Sequence, residues 1–169
     1  MGPAPVSSID GFRYSVSFLD DFSKFCWFIP IIAKSIVFEK FLIFKRTVEH
    51  LFSCKIKSFQ FDWGGEYRKL NTLFNNIGII HRISCPHTHQ QNRIIERKHR
   101  HIIETGLALL AHSSLPQCYW IDAFQTASFL INRMPTTVLK NKSPLEVLFH
   151  KPPDYSLLKV FGCLCWPCL

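Results

Sequence analysis

The chain has 169 residues, 47% hydrophobic and 14% aromatic, with a formal net charge of +8 and a pI near 9.3. That length suits one domain and is short for two, and the apolar content excludes a disordered chain. No run reaches the ~20 apolar residues of a membrane span, and the basic excess favours a polyanion or an anionic surface as partner. Seven cysteines, an odd number, are scattered at 26, 54, 85, 118, 163, 165 and 168. Most lie in apolar runs, which reads as buried thiols in a reducing, intracellular compartment and not as a disulfide framework. The polar, proline-bearing start from Met1 to Asp10 carries no signal-peptide pattern.

Residues 1–11 have the Pro, Ser and Gly of a loop. Phe12 to Leu19 and Lys24 to Ile32 are β-rich runs joined by Asp20-Asp21-Phe22-Ser23, which predicts a hairpin. From Lys34 to Phe52 the period becomes helical, with Val37, Phe41, Phe44, Val48 and Leu51 on one stripe. Lys55 to Phe61 returns to strand character. Tyr67 to Asn76 reads as a short helix closed by Gly78, and Ile79 to Ile83 as another short strand.

Ser84 to Gln91 is a polar loop around Pro86. Gln90 to Ala111 is the longest helical segment, with Ile94, Ile95, Ile102, Leu107 and Leu110 as its apolar positions. Pro116 opens a further helix through Trp120, Phe124, Ala127 and Leu130 to about Asn132, and Ser143-Pro144 opens a shorter one. The apolar tail from Val160 to Leu169 suggests an added strand. Strands first, then alternation, then helices alone, predict an α/β or α+β domain with a mixed sheet.

Asp62 closes the SFQFDWGGEY run at a strand's carboxyl end, where ligands of open α/β sheets sit. Gly64 and Gly65 let backbone approach a ligand closely. The same string also suits a Gly-rich turn that the Asp merely opens. Glu96 falls in the first turns of the long helix, with Arg97, Lys98, His99 and Arg100 behind it. It is either a metal-binding carboxylate beside a phosphate clamp or half of an exposed Glu96–Arg100 pair worth about 0.3–0.5 kcal/mol. One carboxylate at a strand end and a second on a helix suit Mg²⁺-dependent phosphodiester chemistry. There, two ions about 3.5–4 Å apart activate the nucleophile and steady the leaving oxygen.

The amides of Gln90, Gln91 and Asn92 suit base edges or phosphates, or a plain polar helix entry. His87-x-His89 and His99-x-His101 lack a Cys-x-x-Cys at finger spacing, so no zinc site is expected there. Cys163-x-Cys165-x-x-Cys168 is the stronger metal pattern, but its apolar setting favours buried thiols.

Together the strings GPAPVSSIDGFRY, SFLDDFSKFCW, FDWGGEY, GIIHRISCPHTHQQN, ERKHRHIIETGLALL, FLINRMPT, KSPLEVLF and PDYSLLKVFGC resemble the integrase core of copia-type long-terminal-repeat retrotransposons, most like plant elements. The resemblance covers nearly the whole chain. It implies a ribonuclease-H-like α/β fold: a mixed five-stranded sheet flanked by helices, here with its first strand truncated. It implies one integrase-core domain over 1–169, with 1–11 as an N-terminal loop and about 134–169 as a C-terminal extension of the core.

The implied reaction joins 3′-hydroxyl ends of element DNA to target DNA, with Mg²⁺ or Mn²⁺ held by an Asp, Asp, Glu triad. By resemblance Asp62 is the second acidic ligand and Glu96 the third, both catalytic and metal-binding. The resemblance implies that Gln91, Asn92 and Arg100 face element DNA, with Lys98 as a further position. The implied partners are DNA and further copies of the chain, with no membrane, and the implied place of action is the nucleus.

Three departures matter. The family's first Asp stands just before a Trp-Gly-Pro string; here Met1 holds the Trp position, and none of Asp10, Asp20 and Asp21 matches, the last two reading as structural. The interval from Asp62 to Glu96 is slightly shorter than is common in retroviral integrases. Arg93 replaces a usual Gly, which is strained if that residue has a positive φ and harmless if it is helical. The resulting expectation is a fragment of an element: a DNA-binding integrase core that is weak or inactive alone. The alternative is a non-catalytic DNA-binding or protein-interaction remnant of a decayed element.

Overall fold

The computed structural model describes residues 3–61, 74, 77–83 and 89–164. They belong to two compact units, Met1–Pro30 with Arg97–Leu169 and Ile31–Glu96.

In the first unit, β1 (Tyr14–Leu19) pairs with β2 (Cys26–Ile31). So short a connection permits only an antiparallel hairpin, since parallel strands need a crossover of a dozen or more residues. Asp20 builds the turn. Its backbone N–H donates to Phe25 O (2.9 Å), its carbonyl accepts from Lys24 N (2.9 Å), and its Oδ2 accepts from Ser23 N and Oγ (2.7 and 2.6 Å). Asp21 pairs with Lys24 Nζ at 2.7 Å.

The two long helices of this region are α2 (His89–Ser113) and α3 (Trp120–Ile131). The core joins Cys26 and Phe28 of β2, Ile102 and Leu110 of α2, and Trp120, Ile121, Ala123, Ala127 and Ile131 of α3. The expected stripe on α2 is only partly buried: Ile94, Ile95 and Leu107 are exposed. The buried line runs Ile102–Gly106–Leu110, one residue per turn. Gly106 is there because α3 crosses closely. A Cβ at Gly106 would lie 2.2 Å from Phe124 Cδ1.

Ser143 caps α4 (Pro144–Phe149), its Oγ accepting from Glu146 N at 3.1 Å, with Pro144 in the first turn. The expected tail strand is absent from residues 160–164. Gly162 has φ +79° and Cys163 N–H donates back to Val160 O, which makes a turn.

In the second unit, α1 (Val37–Phe52) buries Val37, Phe41 and Phe44. Leu51, expected on that stripe, is exposed. The last turn is fastened by polar contacts instead. Lys45 Nζ donates to Glu49 Oε2 (2.6 Å) and Ile56 N to Glu49 Oε1 (3.0 Å), and these bonds hold the Glu49 carboxyl below its usual range. β3 (Ser58–Phe61) and β4 (Ile80–Ile83) pair in parallel, from Ser58↔Ile80 to Phe61↔Ile83.

The rings of Phe41, Phe59 and Phe74 pack with centroids 4.9–5.6 Å apart. Most of the helix expected over Tyr67–Asn76 lies outside the described residues. Gly78, its expected close, has the left-handed φ of +70° that suits a helix C-terminus. The expected mixed sheet is represented by its two kinds of pairing, a hairpin and a parallel pair. Among the described residues these are two separate two-stranded sheets, not one sheet of five strands.

Candidate carboxylate site and basic helix

The parallel register brings the carboxyl ends of β3 and β4 to one edge, at Phe61 and Ile83. Asp62 follows Phe61 directly in the chain but lies outside the described residues. Glu96 lies on α2, exposed, and takes part in no ion pair among the described residues. The Glu96–Arg100 ion pair is therefore not formed.

The polar loop is shorter than expected because α2 begins at His89. Gln91 and Asn92 fall in its first turn, where backbone N–H groups have no partner within the helix; their side chains lie outside the description. Arg93 is helical, so the loss of a glycine there causes no strain.

Further along α2, Arg97, Arg100 and His101 are exposed. Lys98 differs: it is half-buried, and burial lowers its pKa, the Cys26 thiol opposing that shift. Cys26 is buried, and burial pushes its thiol up to about 11, with Lys98 and the Ser17 hydroxyl pulling the other way. His99 is half-buried and burial holds it below its ordinary value. The basic run thus divides by helical period into solvent-facing Arg97 and Arg100 and inward Lys98 and His99. That division was available from the period of the helix.

Among the described residues no three His, Cys, Asp or Glu side chains gather at metal-binding distance. The tail cysteines are not uniformly buried as expected: Cys163 is exposed, as is Cys54, while Cys165 and Cys168 lie outside the described residues. No described helix is long and apolar enough to cross a membrane.

In fold the chain is similar to integrase catalytic core domains. It matches the HTLV-2 integrase catalytic core domain, solved in complex with magnesium in a trimeric form. That match covers 87% of this chain and 99% of that one, with a TM-score of 0.58 and 15% identity. It also matches a chain of the simian T-cell lymphotropic virus intasome, solved with the PP2A regulatory subunit B56 gamma. There it covers 90% of this chain and 63% of that one, with a TM-score of 0.62 and 15% identity.

In sequence the chain is 48% identical over 166 residues to the retrovirus-related Pol polyprotein from transposon RE2 of Arabidopsis thaliana. That alignment spans 98% of this chain and 11% of that polyprotein. No family model matches. The chain belongs to the copia-type retrotransposon Pol polyproteins, in their integrase core region.

Proposed function

We propose that the chain is the DNA-binding integrase core of a retrotransposon, that its reaction is Mg²⁺-dependent joining of element DNA ends to target DNA, and that residues 1–169 alone are weak or inactive. The observation that carries this reading is the exposed carboxylate of Glu96, in no ion pair among the described residues, on the same helix as the exposed guanidinium groups of Arg97 and Arg100. Asp62, next after β3, is the second donor. Both are hard carboxylate oxygens, which fits Mg²⁺ or Mn²⁺. When bound, the ion would supply Lewis-acid activation of a phosphodiester.

The chain's own residues do the rest. Asp62 and Glu96 would hold the ion. Arg100, with Arg97, neutralises and positions phosphates. Gln91 and Asn92 present amides to DNA at a helix N-terminus, whose free N–H groups favour anions. Lys98, half-buried, contributes less than a solvent-facing lysine. Two carboxylates do not readily strip Mg²⁺ of its water, which is why the chain alone is expected to be weak.

The same reading includes a single domain over 1–169, completion of a five-stranded sheet, action in the nucleus and assembly of several copies on DNA. The intasome and trimeric forms of the structural relatives support the last.

A second reading, a non-catalytic DNA-binding or protein-interaction remnant, is favoured by the use of Asp20 and Asp21. Each is committed to its own turn, so neither is a spare ligand. A strand-transfer assay in Mg²⁺ and Mn²⁺ separates the two readings. It compares residues 1–169 with a form extended to carry Asp-x-Trp before Gly2. Activity only in the extended form supports the first reading; activity in neither, with DNA binding kept, supports the second. Robust transfer by residues 1–169, abolished by Asp62→Asn, would overturn the claim that the chain is weak alone.

A further inference from the structure

The C-terminal end of α3 carries an aromatic and cationic surface that the proposed chemistry does not use. The guanidinium carbon of Arg133 lies 3.3 Å over the centre of the Phe129 ring, a stacking distance, and Nη1 donates to Phe129 O at 3.1 Å. Tyr155 is tied to the same residue, its hydroxyl donating to Arg133 O at 2.9 Å. Phe129 and Tyr155 are 41% and 51% exposed. Two aromatic rings and a planar cation therefore stand side by side in solvent. Arg133 takes part in no ion pair among the described residues.

The charge around this surface favours one kind of occupant. From Phe129 to Val160 the chain has five Lys or Arg and two acids. Both acids are engaged. Glu146 Oε1 lies 3.7 Å from Lys142 Nζ, and Asp154 Oδ1 accepts from Ser156 N and Oγ at 2.9 and 2.7 Å. Lys140, Lys151 and Lys159 are exposed. The positive excess is complementary to a polyanion, whereas the core of a protein interface is depleted in lysine. The loop that follows Arg133 is already ordered: Thr136 N–H donates to Lys142 O at 3.1 Å and Asn141 N–H to Thr136 O at 2.9 Å. Binding there leaves little backbone to immobilise. Among polyanions, only unpaired nucleotides offer a base face to a ring or a guanidinium plane, because a duplex keeps its base faces inside the stack.

We infer that the surface formed by Phe129, Arg133 and Tyr155 binds single-stranded nucleic acid. Unpaired bases stack on the Arg133–Phe129 pair and on the Tyr155 ring, and the lysines of the same segment draw the phosphates. The inference does not rest on the DNA-joining reading, because it needs neither a metal ion nor the carboxylates.

The test titrates residues 1–169 into a fluorescein-labelled oligothymidylate of about 12 nucleotides and follows anisotropy. Phe129→Leu and Tyr155→Leu, each checked for folding by circular dichroism, should weaken binding by about tenfold, what one stacked base is worth. Phe129→Trp keeps a ring and should bind as the parent does. Arg133→Lys keeps the charge and loses the plane, so it should weaken binding without changing the salt slope. If Phe129→Leu does not fold, Tyr155→Leu and Arg133→Lys carry the test. An abasic strand of the same length should bind the parent more weakly than the oligothymidylate. Equal affinity for the abasic strand, or parental affinity in Tyr155→Leu and Arg133→Lys, overturns the inference. Equal weakening of duplex binding in those variants overturns it too, since the surface would then be a plain backbone contact. Self-association of the parent that Tyr155→Leu abolishes in sedimentation equilibrium, with oligothymidylate affinity unchanged, assigns the surface to a contact between copies and also overturns it.

Discussion

The side chain of Asn132 grips both backbone groups of Cys26: Oδ1 accepts from Cys26 N at 2.9 Å, and Nδ2 donates to Cys26 O at 2.7 Å. Ser128 Oγ donates to the same carbonyl at 3.1 Å. All three residues are buried, so the end of α3 is keyed to the first residue of β2 by bonds that water cannot replace. Asn132→Asp keeps the acceptor, removes the donor and buries a charge. Asn132→Ala leaves both Cys26 Asn132-facing bonds unmade. Each should cost about 1–3 kcal/mol, read as a lower urea midpoint with unchanged m. A midpoint within error of the parent would mean that the clasp adds nothing.

Gly106 is the close-contact point of α2 on α3. Gly106→Ala would place a methyl against the Phe124 ring, and overpacking of this kind costs about 1–3 kcal/mol. Phe124 is only half-buried, so Phe124→Ala should fall at or below the low end of the usual ~3–5 kcal/mol. In the double variant the clash is gone, and the two costs should not add. Strict additivity in denaturant melts would remove the contact from the account.

DNA binding should weaken steeply with salt. Arg100→Gln and Arg97→Gln should each lower the slope of log K against log salt by about one unit per lost phosphate contact, with the fold unchanged. Lys98→Gln, at a half-buried position, should change it less. If all three variants keep the parental slope in fluorescence anisotropy titrations, the DNA lies on another surface.

Cysteine reactivity should follow exposure and thiolate content. Cys26, buried and raised to about 11, should stay unmodified by iodoacetamide near neutral pH. Cys54 and Cys163, both exposed, should react first. Peptide mapping that finds Cys26 modified as fast as Cys54 would contradict its burial.

Burial holds His99 below its ordinary value of 6.5. As the pH falls through about 6.5 the unfolded chain takes a proton at this site while the folded chain does not. The contribution is therefore complete above that pH and is lost progressively below it, down to the lowered folded pKa. His99→Gln should flatten this fall in urea midpoints between about pH 7 and pH 5.5. An unchanged slope would assign the acid sensitivity to other groups.

Local pattern determined much of this protein. The hairpin at Asp20–Phe25, the α1 stripe of Val37, Phe41 and Phe44, the strand ending at Phe61 and the Ser143–Pro144 cap all follow from side-chain period and turn chemistry, which act over a few residues. The family strings are equally legible, and the membership in copia-type Pol polyproteins that they implied holds. What packing decided was which positions of a periodic helix turn inward. Leu107 is as apolar as Ile102, yet it stays exposed, because the buried line of α2 follows the glycine that lets α3 approach. Lys98 reads as one more base in a basic run; the helical period sets it on a different face from Arg97 and Arg100, and packing near Cys26 makes that face half-buried. The Asn132 clasp joins residues far apart in the chain. No local rule reports it, because only the fold brings a buried amide to a strand's first N–H and carbonyl.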